Sequence, residues 1–213
     1  MTITVLLADD HAVVRDGLRM LLQQSADIRV VGEAADGREA VQLAQDLRPD
    51  VVIMDITMRE LNGVEAARLL RDLCPATRVV MLSMHSNSEH VFRALEAGAA
   101  GYVVKESAGE EVAAAVRAAH AGQRYLSRAI AALESTLQSR SARASPLDSL
   151  SARERDVLQL GGEGRTSAEI AATVSLSPKT IETYRVRLMK KLRVNSVAEL
   201  VKFAIEHGLT PST

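Results

Sequence analysis

The sequence has little of what stabilises small secreted domains or proteins that bind single-stranded nucleic acids. Of its 213 residues only Cys74 is a cysteine, so neither an intramolecular disulfide nor a multi-cysteine zinc site can form. Tryptophan is absent and aromatic residues make up 2 %, which disfavours aromatic-rich all-β folds and proteins that stack unpaired bases on aromatic rings. The core is therefore expected to consist of aliphatic residues and methionine.

Long apolar runs and a secretory signal are also lacking. No run reaches the ~18 apolar residues that a membrane-spanning helix needs. The first ten residues already include two aspartates, which does not fit a signal peptide. Together with the single thiol, these absences predict a cytoplasmic protein without a membrane partner.

The net charge of −1 conceals two halves of opposite sign. Residues 1–122 carry 18 acidic and 12 basic side chains, a net charge of −6, whereas residues 123–213 carry 9 and 14, a net charge of +5. Residues 138–149 lack apolar periodicity and have the composition of a linker. We therefore predict a first domain at 1–122, a linker at 123–148 with a short helix over 127–139, and a second domain at 149–213.

Five short apolar runs alternate with amphipathic stretches of helical period in the first half. Continuous apolar runs indicate strands that are buried on both faces, and their alternation with helices indicates parallel βαβ crossovers. The first half is thus predicted to be a five-stranded, doubly wound α/β domain. The five runs are 3–8 (ITVLLA), 28–34 (IRVVGEA), 51–55 (VVIMD), 78–83 (RVVMLS) and 101–105 (GYVVK).

Charged side chains stand at the carboxyl ends of these predicted strands, where parallel sheets bind ligands. Asp9 and Asp10 follow the first run, Asp55 ends the third, Ser83 ends the fourth and Lys105 ends the fifth. Three carboxylates at one edge repel one another unless a cation joins them, and oxygen ligands suit Mg²⁺. One carboxylate can then attack phosphorus, while the metal, Lys105 and Ser83 neutralise the phosphoryl oxygens.

These segments resemble the receiver domain of two-component response regulators. The resemblance rests on ADD (8–10), DIT (55–57), MLS (81–83) and GYVVK (101–105). It implies a flavodoxin-like fold with Asp55 as the phosphoacceptor. It also implies a Mg²⁺ site made by Asp9, Asp10, Asp55 and the backbone carbonyl of Thr57.

The same resemblance assigns three further roles. Lys105 is expected to pair with the phosphoryl group. Ser83 and Tyr102 are expected to form a switch in which the hydroxyl moves toward the phosphate and the aromatic ring follows inward. In one departure, Arg59 occupies the position, two residues after Thr57, where the family usually has proline. The loop after Asp55 is therefore expected to be less rigid, which would alter the lifetime of the phosphoryl group.

Two alternatives use the same residues differently. Haloacid-dehalogenase phosphatases also carry an aspartate nucleophile on an α/β sheet, but they need a second aspartate two residues later as general acid, where this chain has Thr57. Turnover of outside substrates is therefore not expected, and we predict a non-enzyme that catalyses only its own phosphotransfer and slow dephosphorylation. The other alternative is a DNA-binding regulator whose first domain serves phosphate-independent dimerisation.

The second half is predicted to contain four short helices, over 150–164, 166–175, 177–192 and 196–208. Helix-capping residues mark their ends. These signals are Ser151 with Glu154, Thr166 (or Ser167 as the cap) with Glu169, Ser177 before Pro178, and Gly208 as a candidate C-cap. Residues 168–184 have the two-helix, short-turn pattern of a helix-turn-helix, whose second helix can enter a major groove.

This half resembles the C-terminal effector domain of the NarL/FixJ (LuxR-type) regulators. LSARERDVLQL, the EIA at 169–171 and KTIETYRVRLMKKL match in order. The resemblance implies base contacts from Glu182, Thr183 and Val186, and phosphate contacts from the basic residues around them. The DNA-binding set expected from the sequence is Lys179, Thr180, Glu182, Thr183, Tyr184, Val186, Arg187, Lys190 and Lys191.

Together the two resemblances imply a phosphorylation-dependent transcriptional regulator. Its expected partners are a cognate sensor histidine kinase, which phosphorylates Asp55, and double-stranded promoter DNA. Mg²⁺ is the expected cofactor. A homodimer is expected to form on phosphorylation and to place two recognition helices about one helical turn of DNA apart.

Overall fold

The structure is a computed structural model that describes residues 2–86, 88–131, 146–207 and 209–210. The chain divides into two compact units, Met1–Arg140 and Ser141–Thr213. Within the described residues no helix combines the length and the hydropathy needed to cross a membrane. Most of the helix predicted over 127–139, and the C-cap predicted at Gly208, lie outside the described residues.

The first unit alternates strands with helices, as the sequence predicts. Its strands are β1 (Ile3–Ala8), β2 (Ile28–Ala34), β3 (Val51–Asp55), β4 (Arg78–Ser83), β5 (Gly101–Val104) and β6 (Tyr125–Leu126). Its helices are α1 (Ala12–Gln23), α2 (Gly37–Leu47), α3 (Gly63–Leu73), α4 (Ser88–Glu96), α5 (Ala108–His120) and α6 (Arg128–Ala131). A 3-10 turn over Lys105–Ser107 joins β5 to α5.

The strands form one parallel sheet in the order β2-β1-β3-β4-β5-β6. Successive residues of a strand point to opposite faces, and in β1 the neighbours Leu6 and Leu7 enter different hydrophobic clusters. Helices α2, α3 and α4 cover one face, whereas α1 and α5 cover the other. Burial on both faces explains the continuous apolar runs and confirms the doubly wound α/β fold that the sequence predicts.

The sheet has six strands where the sequence indicates five. The extra strand, β6, lies in the segment that we assign to the linker. Its backbone continues the ladder, because the Tyr125 N–H donates to the Ala100 carbonyl at 3.0 Å and the Ser127 N–H donates to the Tyr102 carbonyl at 2.8 Å. Ile130 of α6 is fully buried in the same cluster as Tyr102. A strand of two residues is too short to show a period, so its pattern could not indicate it.

The described part of the second unit starts with a 3-10 turn over Pro146–Ser149 and continues as four helices. These are α7 (Ala152–Gly162), α8 (Ser167–Val174), α9 (Pro178–Leu192) and α10 (Val197–Glu206). Ser151 and Thr166 each cap a helix in a complete capping box, which makes Thr166 rather than Ser167 the N-cap of α8. Ser177 caps α9 by accepting from the Thr180 N–H, and Pro178 fills its first position. The capping signals thus place three of the four helix starts.

Close approach of α3 to β3 fixes the chain directly after Asp55. The Gly63 N–H donates to the Ile56 carbonyl at 2.9 Å. A Cβ atom at Gly63 would lie 2.0 Å from the backbone carbonyl oxygen of Asp55. Asn62 caps α3 by accepting from the Glu65 N–H at 3.0 Å and is itself buried. This position therefore needs glycine because the strand end and the helix start share the space of a side chain.

Replacing Gly63 with alanine is expected to lower the free energy of unfolding by about 3 kcal/mol, the upper range for overpacking a filled site. Gly17 is the matched control, since it lies inside α1 with no atom within 4 Å of a Cβ placed there. Alanine at position 17 is expected to stabilise by about 0.5–1 kcal/mol through helix propensity. Urea unfolding of both variants measures the difference, and equal effects at the two positions would contradict the steric reason.

Candidate functional site

The carboxyl ends of β1 and β3 lie side by side at the edge of the sheet where the sequence predicts a site. The strand order reverses at β1, which lies between β2 and β3, and doubly wound sheets bind ligands at such a reversal. Asp9 follows β1, Asp55 ends β3, and Lys105 follows β5. The Lys105 ammonium lies 2.7 Å from Asp9 Oδ2 and 2.9 Å from Asp55 Oδ2. The structure therefore brings together three side chains that are distant in sequence.

Both carboxylates are buried, Asp9 with 1 % and Asp55 with 3 % of its surface exposed. Burial raises the pKa of Asp55 to about 6, and the charge of Asp9 adds to this, although Lys105 acts in the opposite direction. Burial also disfavours the charged form of Lys105, but the charges of Asp55 and Asp9 outweigh it and raise the pKa of Lys105. One ammonium group thus does not compensate two buried carboxylates, and the site favours additional positive charge.

Asp10 supplies a further carboxylate beside this pair. Its Oδ1 is buried and makes no hydrogen bond among the described residues, although Nδ1 of His11 lies 2.8 Å away. Ligand atoms of Asp9, Asp10, His11 and Asp55 lie within 4.8 Å of one another. Carboxylate oxygens from three aspartates, grouped this closely, are the kind of donor set that a hard divalent cation prefers. The residues therefore fit Mg²⁺.

His11 is a member of this cluster that the sequence pattern did not indicate. Its backbone N–H donates to Asp9 Oδ1 at 2.9 Å, and its Nδ1 lies 3.2 Å from the same oxygen. Histidine spacing along the chain shows no metal-ligand pattern, because the relevant neighbours are carboxylates rather than other histidines. Its place directly after two predicted metal ligands was the available signal.

The loop after β3 places Thr57 beside Asp55. The Thr57 N–H donates to Asp55 Oδ1 at 3.4 Å. Further along, the Leu61 N–H donates to the Arg59 carbonyl at 2.7 Å, which closes a tight turn around Glu60 at φ 61°. Arg59, in the position where proline is usual, thus contributes its backbone carbonyl to a hydrogen-bonded turn, and the lower rigidity of this loop stays a prediction. The metal-binding role of the Thr57 carbonyl stays a prediction.

Ser83 and Tyr102 both contact the backbone of His85. The Tyr102 hydroxyl donates to the His85 carbonyl at 2.7 Å, and Ser83 Oγ accepts from the His85 N–H at 3.0 Å. Tyr102 is fully buried, and burial raises the pKa of its hydroxyl. The imidazole of His85 stacks on that of His90 with 4.5 Å between ring centroids. Aliphatic surroundings and the His85 carbonyl thus hold the Tyr102 ring in the core. The switch role of Ser83 and Tyr102 stays a prediction.

Helix α9 presents the surface expected to contact DNA. Three residues predicted to read bases, Glu182, Thr183 and Val186, are exposed, and Val186 has 61 % of its surface accessible. The opposite side packs on the core through fully buried Ile181 and Leu188. The remaining predicted contacts are Lys179, Arg187, Lys190 and Lys191, which are exposed, and Thr180 and Tyr184, which are partly buried.

Side chains of the same surface also hold the second unit together. The Glu182 carboxylate accepts from the Ser167 hydroxyl, and an Arg185 guanidinium N–H donates to the Arg165 carbonyl at 3.0 Å. Both contacts fix the start of α8 against α9. The Lys191 ammonium lies 2.7 Å from Glu154 Oε2, so this predicted phosphate contact is already engaged within the unit.

Comparisons with known proteins match both units. The family "Response regulator receiver domain" matches residues 5–117, and the family "Bacterial regulatory proteins, luxR family" matches residues 148–204. The response regulator UvrY of Escherichia coli (strain K12) is 38 % identical over 208 residues, which cover 97 % of this chain and 95 % of that protein.

Solved structures give the same likeness over both units. RcsB from Salmonella enterica serovar Typhimurium, bound to promoter DNA in the presence of the phosphomimetic BeF3−, has a TM-score of 0.67 and 26 % identity, over 97 % of this chain and 100 % of that one. A structure of two RcsB dimers bound to two parallel DNAs has a TM-score of 0.60 and 28 % identity, over 95 % and 98 % of the chains.

Replacing Asp55 with asparagine is expected to stabilise the metal-free protein above about pH 6 and to leave its stability unchanged below about pH 4. Burial raises the pKa of Asp55 to about 6 from an ordinary 3.8. The unfolded chain thus releases this proton at lower pH than the folded chain, and wild-type stability falls as pH rises through this window. The difference at neutral pH is expected to reach about 3 kcal/mol.

Urea unfolding of D55N and the wild type in buffer with a metal chelator, at both ends of that pH window, measures this effect. D72N is the control for net charge, because Asp72 is a surface carboxylate with 71 % of its side chain exposed. A stability difference between D55N and the wild type that is equal at both pH values would contradict the assignment.

Proposed function

The chain belongs to the two-component response regulators that join a receiver domain to a LuxR-type DNA-binding domain, and from this membership we propose that phosphorylation of Asp55 controls its binding to promoter DNA. The observation that carries the proposal is the position of Asp55. Its carboxylate is buried at the strand-order reversal, beside Asp9 and within 2.9 Å of the Lys105 ammonium. A purely structural aspartate gains nothing from such a place, whereas a nucleophile gains a fixed orientation and a charge partner.

In the proposed reaction a carboxylate oxygen of Asp55 forms a bond to phosphorus while the bond from phosphorus to the donor breaks. The donor is the phosphohistidine of a sensor histidine kinase or a small acyl phosphate, and it keeps the electron pair of the broken bond. Lys105 is already within hydrogen-bond distance of Asp55, so it pairs with the added oxygens without a large movement. Ser83 supplies a hydroxyl at the end of the neighbouring strand β4. The chemistry is limited to this self-modification and its slow reversal.

Mg²⁺ fits this site and would be held by Asp9, Asp10, Asp55 and the backbone carbonyl of Thr57. When bound, it supplies positive charge that neutralises phosphoryl oxygens and the crowded carboxylates. Asp10 Oδ1 is buried without a hydrogen bond among the described residues, and the pKa of Asp55 is raised. Both features favour such a cation.

DNA binding is proposed to occur through α9 as a homodimer. Exposed Glu182, Thr183 and Val186 face away from the core, which suits direct contact with base edges in a major groove. Exposed Lys179, Arg187 and Lys190 suit phosphate contacts. The DNA-bound RcsB structures, one described as dimers on DNA, support this arrangement.

A second candidate is a receiver that acts without phosphate. Such a receiver would keep the bond from the Tyr102 hydroxyl to the His85 carbonyl, at 2.7 Å, whether or not Asp55 carried a phosphoryl group. In that case the receiver would contribute a constitutive dimerisation surface, and phosphorylation would not change DNA affinity.

Incubation of the full chain with acetyl phosphate and Mg²⁺, followed by intact-mass measurement, is expected to show one phosphoryl group per chain. The adduct is expected to be absent in D55N, because the nucleophilic oxygen is removed, and present in the control D72N. An adduct that persists in D55N would contradict Asp55 as the acceptor. An adduct without any change in promoter affinity would favour the second candidate.

Replacing Lys190 with glutamine is expected to weaken DNA binding similarly for all sequences and to reduce the slope of log affinity against log salt by about one. Lys202 on α10 is the matched control, because it is an exposed lysine of the same unit whose ammonium lies 3.6 Å from Glu206. K202Q is expected to bind as the wild type does. Salt-dependent binding measurements distinguish the two variants, and equal slopes would contradict a phosphate contact at Lys190.

A further inference from the structure

Glu111, a buried carboxylate of α5, accepts hydrogen bonds from residues near the start of the linker. Glu111 has 5 % of its surface exposed. It accepts from the Ser127 hydroxyl at 2.5 Å and from the Arg128 backbone N–H at 3.3 Å. Two neighbouring residues of the linker segment thus converge on one group. Burial and the charge of Glu111 also raise the pKa of Tyr125 on β6.

The Ser127 hydroxyl also contacts Ser107, a residue of the turn that carries Lys105. Ser127 Oγ lies 2.8 Å from Ser107 Oγ, and Ser107 Oγ lies 3.1 Å from the Val104 carbonyl. The single hydroxyl proton of Ser127 points to the carboxylate of Glu111, so the one hydroxyl proton of Ser107 is shared between Ser127 Oγ and the Val104 carbonyl. Ser107 is the last residue of the 3-10 turn that Lys105 begins, and Val104 directly precedes that turn. We call Glu111, Ser107 and Ser127 the Glu111 network.

The backbone attaches the same segment to the second switch residue. The Ser127 N–H donates to the Tyr102 carbonyl at 2.8 Å, and Ile130, three residues later, is fully buried in the cluster that contains Tyr102. Residues 124–131 are therefore attached both to Tyr102 and to the turn that carries Lys105. These are the two places that are proposed to respond to the phosphoryl group.

A buried carboxylate is costly unless its oxygens stay hydrogen-bonded. When the turn carrying Lys105 moves, Ser107 moves with it, and the hydroxyl of Ser127 must move too or lose a bond. Since Ser127 directly precedes α6 and Arg128 begins it, the displacement would reach the linker. Hydrogen-bond networks around a buried carboxylate can transmit displacement because they tolerate few arrangements.

We propose that the Glu111 network couples the Lys105 turn to the first residues of the linker and so carries the phosphorylation state of Asp55 toward the DNA-binding unit. This role rests on the proposed function above. Ser107 and Ser127 are positioning residues in it, since neither is placed to touch the phosphoryl group.

The test compares DNA affinity with and without acetyl phosphate for the full-length wild type, S107A and S127A. S107A removes the connection to the turn but keeps the bond between Ser127 and Glu111. The matched control is T77V, because Thr77 is also a buried hydroxyl that donates to a backbone carbonyl, that of Pro49 at 2.8 Å, next to β4 and far from the linker in sequence. Intact mass verifies that each variant is phosphorylated, and thermal unfolding verifies that each is folded.

We expect S107A and S127A to accept the phosphoryl group, while the ratio of the two affinities falls by about fivefold or more, the lower range of allosteric coupling. T77V is expected to keep the wild-type ratio even if its stability falls as much. Hydrogen exchange of residues 124–131 is expected to change on phosphorylation in the wild type and not in S107A.

Two outcomes overturn the role of the network. One is a wild-type affinity ratio in phosphorylated S107A and S127A, and the other is an equal loss of the ratio in T77V, which would show an effect of stability alone. A wild type that forms no adduct, or whose adduct leaves DNA affinity unchanged, would instead overturn the proposed function itself. The first two outcomes leave phosphorylation-dependent DNA binding in place, so the two failures are distinguishable.

Discussion

The Lys105 ammonium between two buried carboxylates is the interaction on which the acceptor site depends. Taking Asp9 and Asp55 out of water is unfavourable, and one lysine compensates only part of that cost. Burial and the excess of negative charge that remains raise the pKa of Asp55. Beside it, Asp10 Oδ1 is buried without a hydrogen bond among the described residues. Additional positive charge lowers the free energy of such a site. This is the electrostatic reason that the site fits Mg²⁺.

The parallel sheet makes this crowding possible. Strand order reverses at β1, so the carboxyl ends of β1 and β3 open onto one crevice, and β5 brings Lys105 to the same edge. Gly63 then lets α3 begin against the backbone of Asp55. Aliphatic packing on both faces of the sheet thus supplies the rigidity that holds like charges together.

Strand β5 connects Tyr102 and the Lys105 turn with the linker. Tyr102 and the residues around Lys105 belong to β5 and its turn, and β6 extends the sheet from β5 into the segment that leads away from the receiver. The inward Tyr102 and the Glu111 network are two consequences of that arrangement. In both places a polar group is withdrawn from water and bonded within the protein instead. Few other arrangements of the chain could provide those hydrogen bonds.

The sequence by itself determined the alternation of strands and helices, the helix starts marked by Ser151, Thr166 and Ser177, and the residues at the strand ends. These follow from local periodicity and capping, which depend only on neighbours along the chain. Only the tertiary structure decided that β6 joins the sheet, that His11 lies against Asp9, that Tyr102 bonds to the His85 carbonyl and that Glu111 accepts hydrogen bonds from the linker. Each of those depends on contacts between distant segments, or on a strand of two residues, and neither leaves a period in the sequence.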